Sequence, residues 1–89
     1  MEKVSAIICV FNEEKTLRNV ILSVAHNQHI DEVIVVNDGS TDNSKEIIDS
    51  LHEQISIKPI HLPQNKGKGF AMAVGVENAK NEIIFFIDA

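Results

Sequence analysis

Four apolar runs, separated by polar and amphipathic segments, set the pattern of this chain. They cover residues 4–11, 32–37, 56–62 and 83–87. Except for the third, the runs show little alternation between polar and apolar residues, which is typical of strands buried on both faces of a parallel sheet. Each run is also short enough to be a strand. The pattern therefore predicts four strands.

The segments between these runs predict helices. Apolar residues recur at helical spacing in residues 17–24 and 44–54, and residues 70–79 are small and apolar. Asn12 is predicted to cap the first helix. Strands that alternate with helices indicate an α/β fold. We therefore expect a Rossmann-like three-layer α/β/α arrangement with a mainly parallel sheet of about four strands, in a single domain over residues 1–89.

The third and fourth predicted strands contain residues that indicate their position in the sheet. Pro59 lies within the third run, and a proline in a strand belongs at a sheet edge because it has no N–H for the ladder. The run from Ile83 to Ile87 is apolar on both faces and predicts an interior strand, although it is the last element. We therefore expect either a piece of a longer protein or a homo-oligomer that pairs through this strand.

Polar residues follow every predicted strand. They are Asn12-Glu13, Asn37-Asp38, Asn65-Lys66 and Asp88. The carboxyl ends of parallel strands meet at one edge of a sheet, and ligands of open α/β sheets bind there. The sequence therefore predicts a ligand site that these four segments share. Gly39 permits a sharp turn directly after Asp38.

Each candidate residue at this edge has a functional and a structural interpretation. Asp38 can accept hydrogen bonds from a base or ribose, or bond to its own backbone in an Asp-Gly turn. Asp88 can bind Mg²⁺ or Mn²⁺, or simply end a strand. Lys66 and Lys68 can neutralise phosphates or be solvated, and Glu13 can bind a sugar hydroxyl or stabilise a helix N-terminus. The residues alone leave these alternatives open.

Composition and missing motifs exclude several classes of function. The chain has 89 residues, 44% of them hydrophobic, and a net charge of −5, which argues against nucleic acid as a partner. Cys9 is the only cysteine, so a disulfide scaffold is excluded and we expect a cytoplasmic location. Neither a dinucleotide-binding fingerprint nor a P-loop is present. The four histidines lack metal-ligand spacing and are predicted to be surface residues.

Four segments together resemble the inverting family-2 glycosyltransferases, which have the GT-A fold. Residues 4–14, Val-Ser-Ala-Ile-Ile-Cys-Val-Phe-Asn-Glu-Glu, resemble the opening strand and turn of the family. Residues 33–44 contain Asn-Asp-Gly-Ser, where the family usually has Asp-Asp-Gly-Ser. Residues 65–69 resemble the Asn-x-Gly segment, and residues 84–89 resemble the approach to the Asp-x-Asp metal motif. The match covers the whole chain, in family order and spacing.

The resemblance implies a role for each site residue. Asp38 would bind the base, typically uracil, in the turn formed with Gly39 and Ser40. Phe11 would flank the base and Glu13 would line the nucleoside pocket. Lys68 is expected to contact the donor because its charge can neutralise phosphates.

Asp88 would act through Mg²⁺ or Mn²⁺ on the diphosphate of the nucleotide-sugar donor. The second Asp of the metal motif and the catalytic base are expected beyond residue 89. We therefore expect the isolated chain to bind nucleotide at most, as the N-terminal part of the enzyme. The resemblance gives neither the acceptor nor the sugar, and it is compatible with a parent protein at the cytoplasmic face of a membrane.

Two other functions remain open. One is a non-catalytic Rossmann-like fragment that self-associates through its last strand. The other is a phosphoacceptor signalling domain, which also places acids at strand ends. Glu13, Glu14 and Asp38 imitate part of that pattern, but the turn Asp-Gly-Ser-Thr-Asp fits it poorly.

Overall fold

The structure, a computed structural model, describes residues 2–89 and has an α/β fold. The strands are β1 (Val4–Val10), β2 (Glu32–Asn37), β3 (Lys58–His61) and β4 (Ile83–Asp88). The helices are α1 (Leu17–Ala25), α2 (Ser44–His52) and α3 (Lys68–Asn78). The four strands form one parallel sheet in the order β3-β2-β1-β4. The predicted Rossmann-like α/β/α fold is therefore confirmed.

The alternating side chains of β1 and β2 build two cores, one on each face of the sheet. On one face, strand residues such as Ile8 and Val35 pack with α1 and α2. On the other face, Ile7 and its neighbours pack against α3. Gly75 lets α3 approach closely, because a Cβ at this position would lie 2.5 Å from Cγ2 of Ile7. Burial on both faces explains why the strand sequences are apolar without alternation.

The sheet ends at β3 on one side and at β4 on the other. Pro59 lies in β3, so its predicted place at an edge is confirmed. Within residues 2–89, β4 has β1 as its sole neighbour. The expectation that this strand gains a second neighbour, in a longer protein or in another copy of the chain, therefore stays a prediction. Phe85 is 55% exposed and Phe86 is 45% exposed. No helix within residues 2–89 is long and apolar enough to cross a membrane.

Side chains at the amino-terminal edge of the sheet hold β1, β2 and the segment before β4 together. Glu32 accepts hydrogen bonds from the Ser5 hydroxyl at 2.7 Å and from the Lys80 N–H at 2.8 Å. The Asn81 amide donates to the Ser5 oxygen at 3.0 Å. Burial by itself would raise the pKa of Glu32, but the hydrogen bonds from Lys80 and Ser5, together with the charges of Lys58 and Lys80, outweigh it and hold the pKa below its ordinary value.

Candidate functional site

A cleft of about 430 Å³ lies at the carboxyl edge of the sheet. Glu13, Asp38, Asn65 and Asp88 line it, one from each of the four polar segments that follow the strands. The predicted convergence of these segments on one site is therefore confirmed, and it follows from the parallel sheet.

The predicted site residues occupy different positions relative to this cleft. Phe11, Glu13, Asp38, Lys68 and Asp88 line its walls. Gly39 and Ser40 lie in the turn behind Asp38 and are not part of the wall.

Asp38 is buried, with 4% of its surface exposed, and its carboxylate holds the loop between β3 and α3. Oδ1 accepts the Lys66 N–H at 2.7 Å, and Oδ2 accepts the Gly67 N–H at 3.0 Å and the Asn65 amide at 3.2 Å. A carboxylate has about four acceptor positions. One position on Oδ1 therefore has no hydrogen bond within residues 2–89, while the other three hold the loop at residues 65–67. The predicted contact with a base remains a prediction.

Gly39 makes this arrangement sterically feasible. Its φ is +66°, in the left-handed region that favours glycine. A Cβ at this position would lie 2.3 Å from the backbone nitrogen of Asn65. The turn after β2 and the loop after β3 can therefore pack backbone against backbone, which brings the Asp38 carboxylate to the loop N–H groups.

Asn12 fastens the loop after β1 to the loop after β2. Its Oδ1 accepts the Thr41 N–H at 2.7 Å and the Asp42 N–H at 3.3 Å, while its own N–H donates to the Ser40 hydroxyl at 2.9 Å. The prediction that Asn12 caps α1 is wrong, because that cap position is occupied by Thr16. Asn12 has a φ of 51°, which Asn tolerates better than most residues. The hydroxyl of Ser40 is thus engaged in holding the two loops together.

Lys68 and Asp88 form an ion pair on the open side of the cleft. The Lys68 ammonium lies 2.7 Å from Oδ2 of Asp88, and both side chains are more than half exposed. The hydrogen bond to Asp88 and the charge of that carboxylate raise the pKa of Lys68. Burial, with the nearby charge of Asp88, raises the pKa of the Cys9 thiol. Cys9 therefore stays protonated, which agrees with the absence of a nucleophilic triad in the sequence.

The donor set around Asp88 fits a divalent cation that binds mainly through a substrate. Among residues 2–89, no three His, Cys, Asp or Glu side chains come together as a metal cluster. Mg²⁺ commonly binds through one or two carboxylates, substrate phosphates and water, and does not need a complete protein cage. Asp88 supplies one such carboxylate at the cleft. The Lys68 ammonium has to leave its Oδ2 if a cation is to use that oxygen.

His61 departs from its prediction as a surface residue. Its side chain is 24% exposed and lies between Asp49 and Asn37. Nε2 is 2.8 Å from Oδ1 of Asp49, and Nδ1 is 3.0 Å from the Asn37 amide nitrogen. The parallel register places His61 beside Asn37 at the ends of β3 and β2. The sequence shows that His61 and Asn37 both lie near strand ends. Only the pairing of β2 with β3 shows that the two residues are neighbours.

Comparison with known proteins finds a matching family model and proteins of similar sequence. A family model described as glycosyl transferase family 2 matches residues 5–89. An uncharacterized glycosyltransferase of Nostoc sp. is 42% identical over 90 residues, which cover 98% of this chain and 28% of that protein. A poly-beta-1,6-N-acetyl-D-glucosamine synthase of Staphylococcus epidermidis is 32% identical over 90 residues, covering 100% of this chain and 22% of the synthase. The chain thus spans about a quarter of the length of these relatives.

Solved structures share the fold over nearly the whole chain. The crystal structure of S. aureus TarS 1–349 in complex with UDP-GlcNAc aligns with a TM-score of 0.83 and 31% identity, over 97% of this chain and 26% of that TarS 1–349 chain. A glucosyl-3-phosphoglycerate synthase from Mycobacterium tuberculosis, in complex with Mn²⁺, UDP and phosphoglyceric acid, aligns with a TM-score of 0.80 and 26% identity. That alignment covers 98% of this chain and 32% of the synthase.

Proposed function

Because the chain belongs to glycosyltransferase family 2 and forms an N-terminal portion of the GT-A fold, we propose that it is the donor-binding part of a sugar-transferring enzyme. The donor is a nucleoside diphosphate sugar, with uridine as the nucleoside, and the acceptor is a hydroxyl group. The observation that carries the proposal is the cleft, which gathers Phe11, Glu13, Asp38, Lys68 and Asp88 at the carboxyl edge of the sheet.

The proposed pose places the base near Asp38 and the diphosphate near Lys68 and Asp88. Asp38 keeps one acceptor position on Oδ1, which can take the N–H of a uracil ring. Phe11 is 44% exposed and lines the same cleft as Asp38, so it can offer an aromatic face to the base. Glu13 lines the cleft between the two ends and can accept hydrogen bonds from ribose hydroxyls. The complexes named above, of TarS with UDP-GlcNAc and of the glucosyl-3-phosphoglycerate synthase with UDP, support a uridine donor.

The charges of the cleft require a cation when a diphosphate binds. Asp38, Asp88 and Glu13 bring negative charge to a site where Lys68 is the one lysine on the wall. A divalent cation, when bound, supplies charge stabilisation to the departing nucleoside diphosphate. Lys68 is placed to exchange its contact with Asp88 for a contact with a phosphate oxygen.

The proposed transfer proceeds with inversion. The acceptor oxygen attacks the anomeric carbon on the face opposite the diphosphate and forms the new glycosidic bond. The bond from the anomeric carbon to the diphosphate oxygen breaks, and its electron pair leaves with the nucleotide. The acceptor proton goes to a general base. The residues of this chain hold and orient the donor in that scheme.

An NMR titration of the chain with UDP and Mg²⁺ tests the proposal. We expect amide shift changes that cluster at residues 11–13, 38–40 and 88, with saturation. UDP with EDTA is the control, and we expect weaker binding there because the diphosphate then meets uncompensated carboxylates. A well-folded sample with no shift changes up to millimolar UDP would contradict donor binding by this chain.

Self-association through β4 remains a prediction. Its support is the exposed apolar surface of this edge strand, with Ile83 36% exposed beside Phe85 and Phe86. Light scattering at rising concentration tests it, and a monomer at high concentration would contradict it. The association would use the free lateral edge of β4, whereas nucleotide binding would use the cleft at the carboxyl edge of the sheet. The two can therefore be measured separately.

A further inference from the structure

The hydrogen-bond chain from Asp49 through His61 to Asn37 ends at the turn that carries Asp38. Oδ1 of Asn37 accepts the Ser40 N–H at 3.2 Å, so the amide nitrogen of Asn37 must point at the histidine ring, 3.0 Å away. Asn37 is buried, with 3% of its surface exposed. An orphaned amide at this position would therefore be costly.

These hydrogen bonds determine which ring nitrogen of His61 carries the proton. The amide nitrogen of Asn37 has donors and no acceptor, so Nδ1 of His61 must be unprotonated in order to accept. Nε2 then carries the ring proton and donates it to Oδ1 of Asp49, 2.8 Å away. The neutral Nε2–H tautomer pairs a donor with an acceptor at both contacts of the ring.

From this geometry we propose that His61 is a positioning residue for the nucleotide site. As a neutral imidazole between Asp49 and Asn37, it fixes the amide of Asn37 and through it the turn at residues 38–40. The inference depends on the proposed donor binding only in the tests that measure UDP affinity. Its structural part stands on the hydrogen bonds alone.

Protonation of His61 reverses the pattern. A proton on Nδ1 places a donor against the donor amide of Asn37. If the amide rotates to present its oxygen to the ring, its nitrogen then faces the Ser40 N–H, which is again a donor against a donor. The turn that presents Asp38 must shift in either case, so acid conditions should weaken nucleotide binding.

Asp49 is the charged side chain that pairs with the His61 ring. Asp49 on α2 contacts the ring, and the β2 residues paired with β3, from Ile34 to Asn37, carry no charge. Four other titratable residues of α2 or its end lie one turn from Asp49 and are exposed: Lys45, Glu46, His52 and Glu53.

The first test measures the tautomer in the chain without nucleotide. Long-range ¹H–¹⁵N spectra at about pH 8 distinguish the two ring nitrogens. We expect Nε2–H for His61 and a mixture of tautomers for the exposed His52. We also expect the Ser40 amide shift to follow the protonation of His61. A tautomer mixture at His61, or a Ser40 amide that does not follow it, would overturn the proposal whether or not UDP binds.

The second test measures UDP affinity between about pH 8 and about pH 5. We expect about a tenfold loss at the acid end, which corresponds to one strong hydrogen bond. His61→Gln can bridge the same partners without titrating, so the part of the loss due to His61 should vanish. His52→Gln is the matched control and should behave as the unmodified chain does. Equal pH dependence in all three proteins would overturn the proposal.

The third test changes the sign of the effect. In Asn37→Asp, the new carboxylate can accept the Ser40 N–H but cannot donate to His61. A doubly protonated His61 then donates to a carboxylate on each side, so protonation completes the chain. We expect UDP affinity in this variant to hold or to increase as the pH falls. A loss equal to that of the unmodified chain would show that Asn37 does not transmit the state of His61.

Discussion

Replacing Asp38 with asparagine separates the two tasks that this side chain has in the structure. The carboxylate holds the loop after β3 through three hydrogen bonds, and it presents one remaining acceptor position to the cleft. Asparagine has nearly the same shape but one acceptor oxygen and one donor nitrogen. In Asp38→Asn, the oxygen can keep the Lys66 N–H. The nitrogen then faces the Gly67 N–H and the Asn65 amide, donor against donor.

The size of the effect follows from these contacts. Two hydrogen bonds to an ionised acceptor are lost, each of which contributes about 1.5–3 kcal/mol in a folded protein. Because the loop can relax toward solvent, we expect a loss of about 3 kcal/mol in the free energy of unfolding. A chain of this length has a total of about 4–13 kcal/mol. The variant should therefore remain folded, with a loosened loop.

Urea unfolding and amide hydrogen exchange measure this prediction. We expect a lower midpoint with an unchanged slope, and faster exchange at Lys66 and Gly67 than in the unmodified chain. Glu53→Gln removes one charge from an exposed side chain and is the matched control. If Asp38→Asn leaves both the midpoint and the exchange of these two amides unchanged, the carboxylate does not hold the loop and the reasoning is refuted.

Three other perturbations have defined outcomes. Gly39→Ala should lower the free energy of unfolding by more than the cost of about 1 kcal/mol for a strained left-handed residue, because the new Cβ would lie 2.3 Å from a backbone atom. Gly69→Ala is the control, because a Cβ at that position has no atom from elsewhere in residues 2–89 within 4 Å. Equal urea midpoints for the two variants would contradict the predicted clash at Gly39. Lys68→Met removes the exposed pair with Asp88, so the melting temperature should stay unchanged while UDP affinity with Mg²⁺ falls; an unchanged affinity would argue against a phosphate contact. Glu32 has its pKa held below 4.5, so it stabilises fully above that pH and less as the pH falls through its folded value. The difference in melting temperature between the unmodified chain and Glu32→Gln should therefore shrink as the pH falls. A difference that does not change with pH would refute the stabilising role of the Glu32 carboxylate.

The sequence alone determined the fold class and the edge of the sheet at which the polar strand-end residues meet. Apolar runs without alternation and the helical spacing between them are local patterns, and each depends on residues close together in the chain. The rule that parallel strands end at one edge then brought Glu13, Asp38 and Asp88 to one cleft without knowledge of any contact. Pro59 placed β3 at an edge because a missing N–H is a property of the residue itself.

Only the tertiary structure decided which partners these side chains meet. Asp38 bonds to a loop 27–29 residues further along the chain, Asn12 to a loop 28–30 residues away, and His61 to Asn37 across 24 residues. Such pairs depend on strand order and register, which local patterns do not contain. The exposure of β4 likewise follows from its place beside β1 at the end of the sheet. The residue types therefore named the chemistry available at the cleft, and the packing of distant loops determined how each side chain is used.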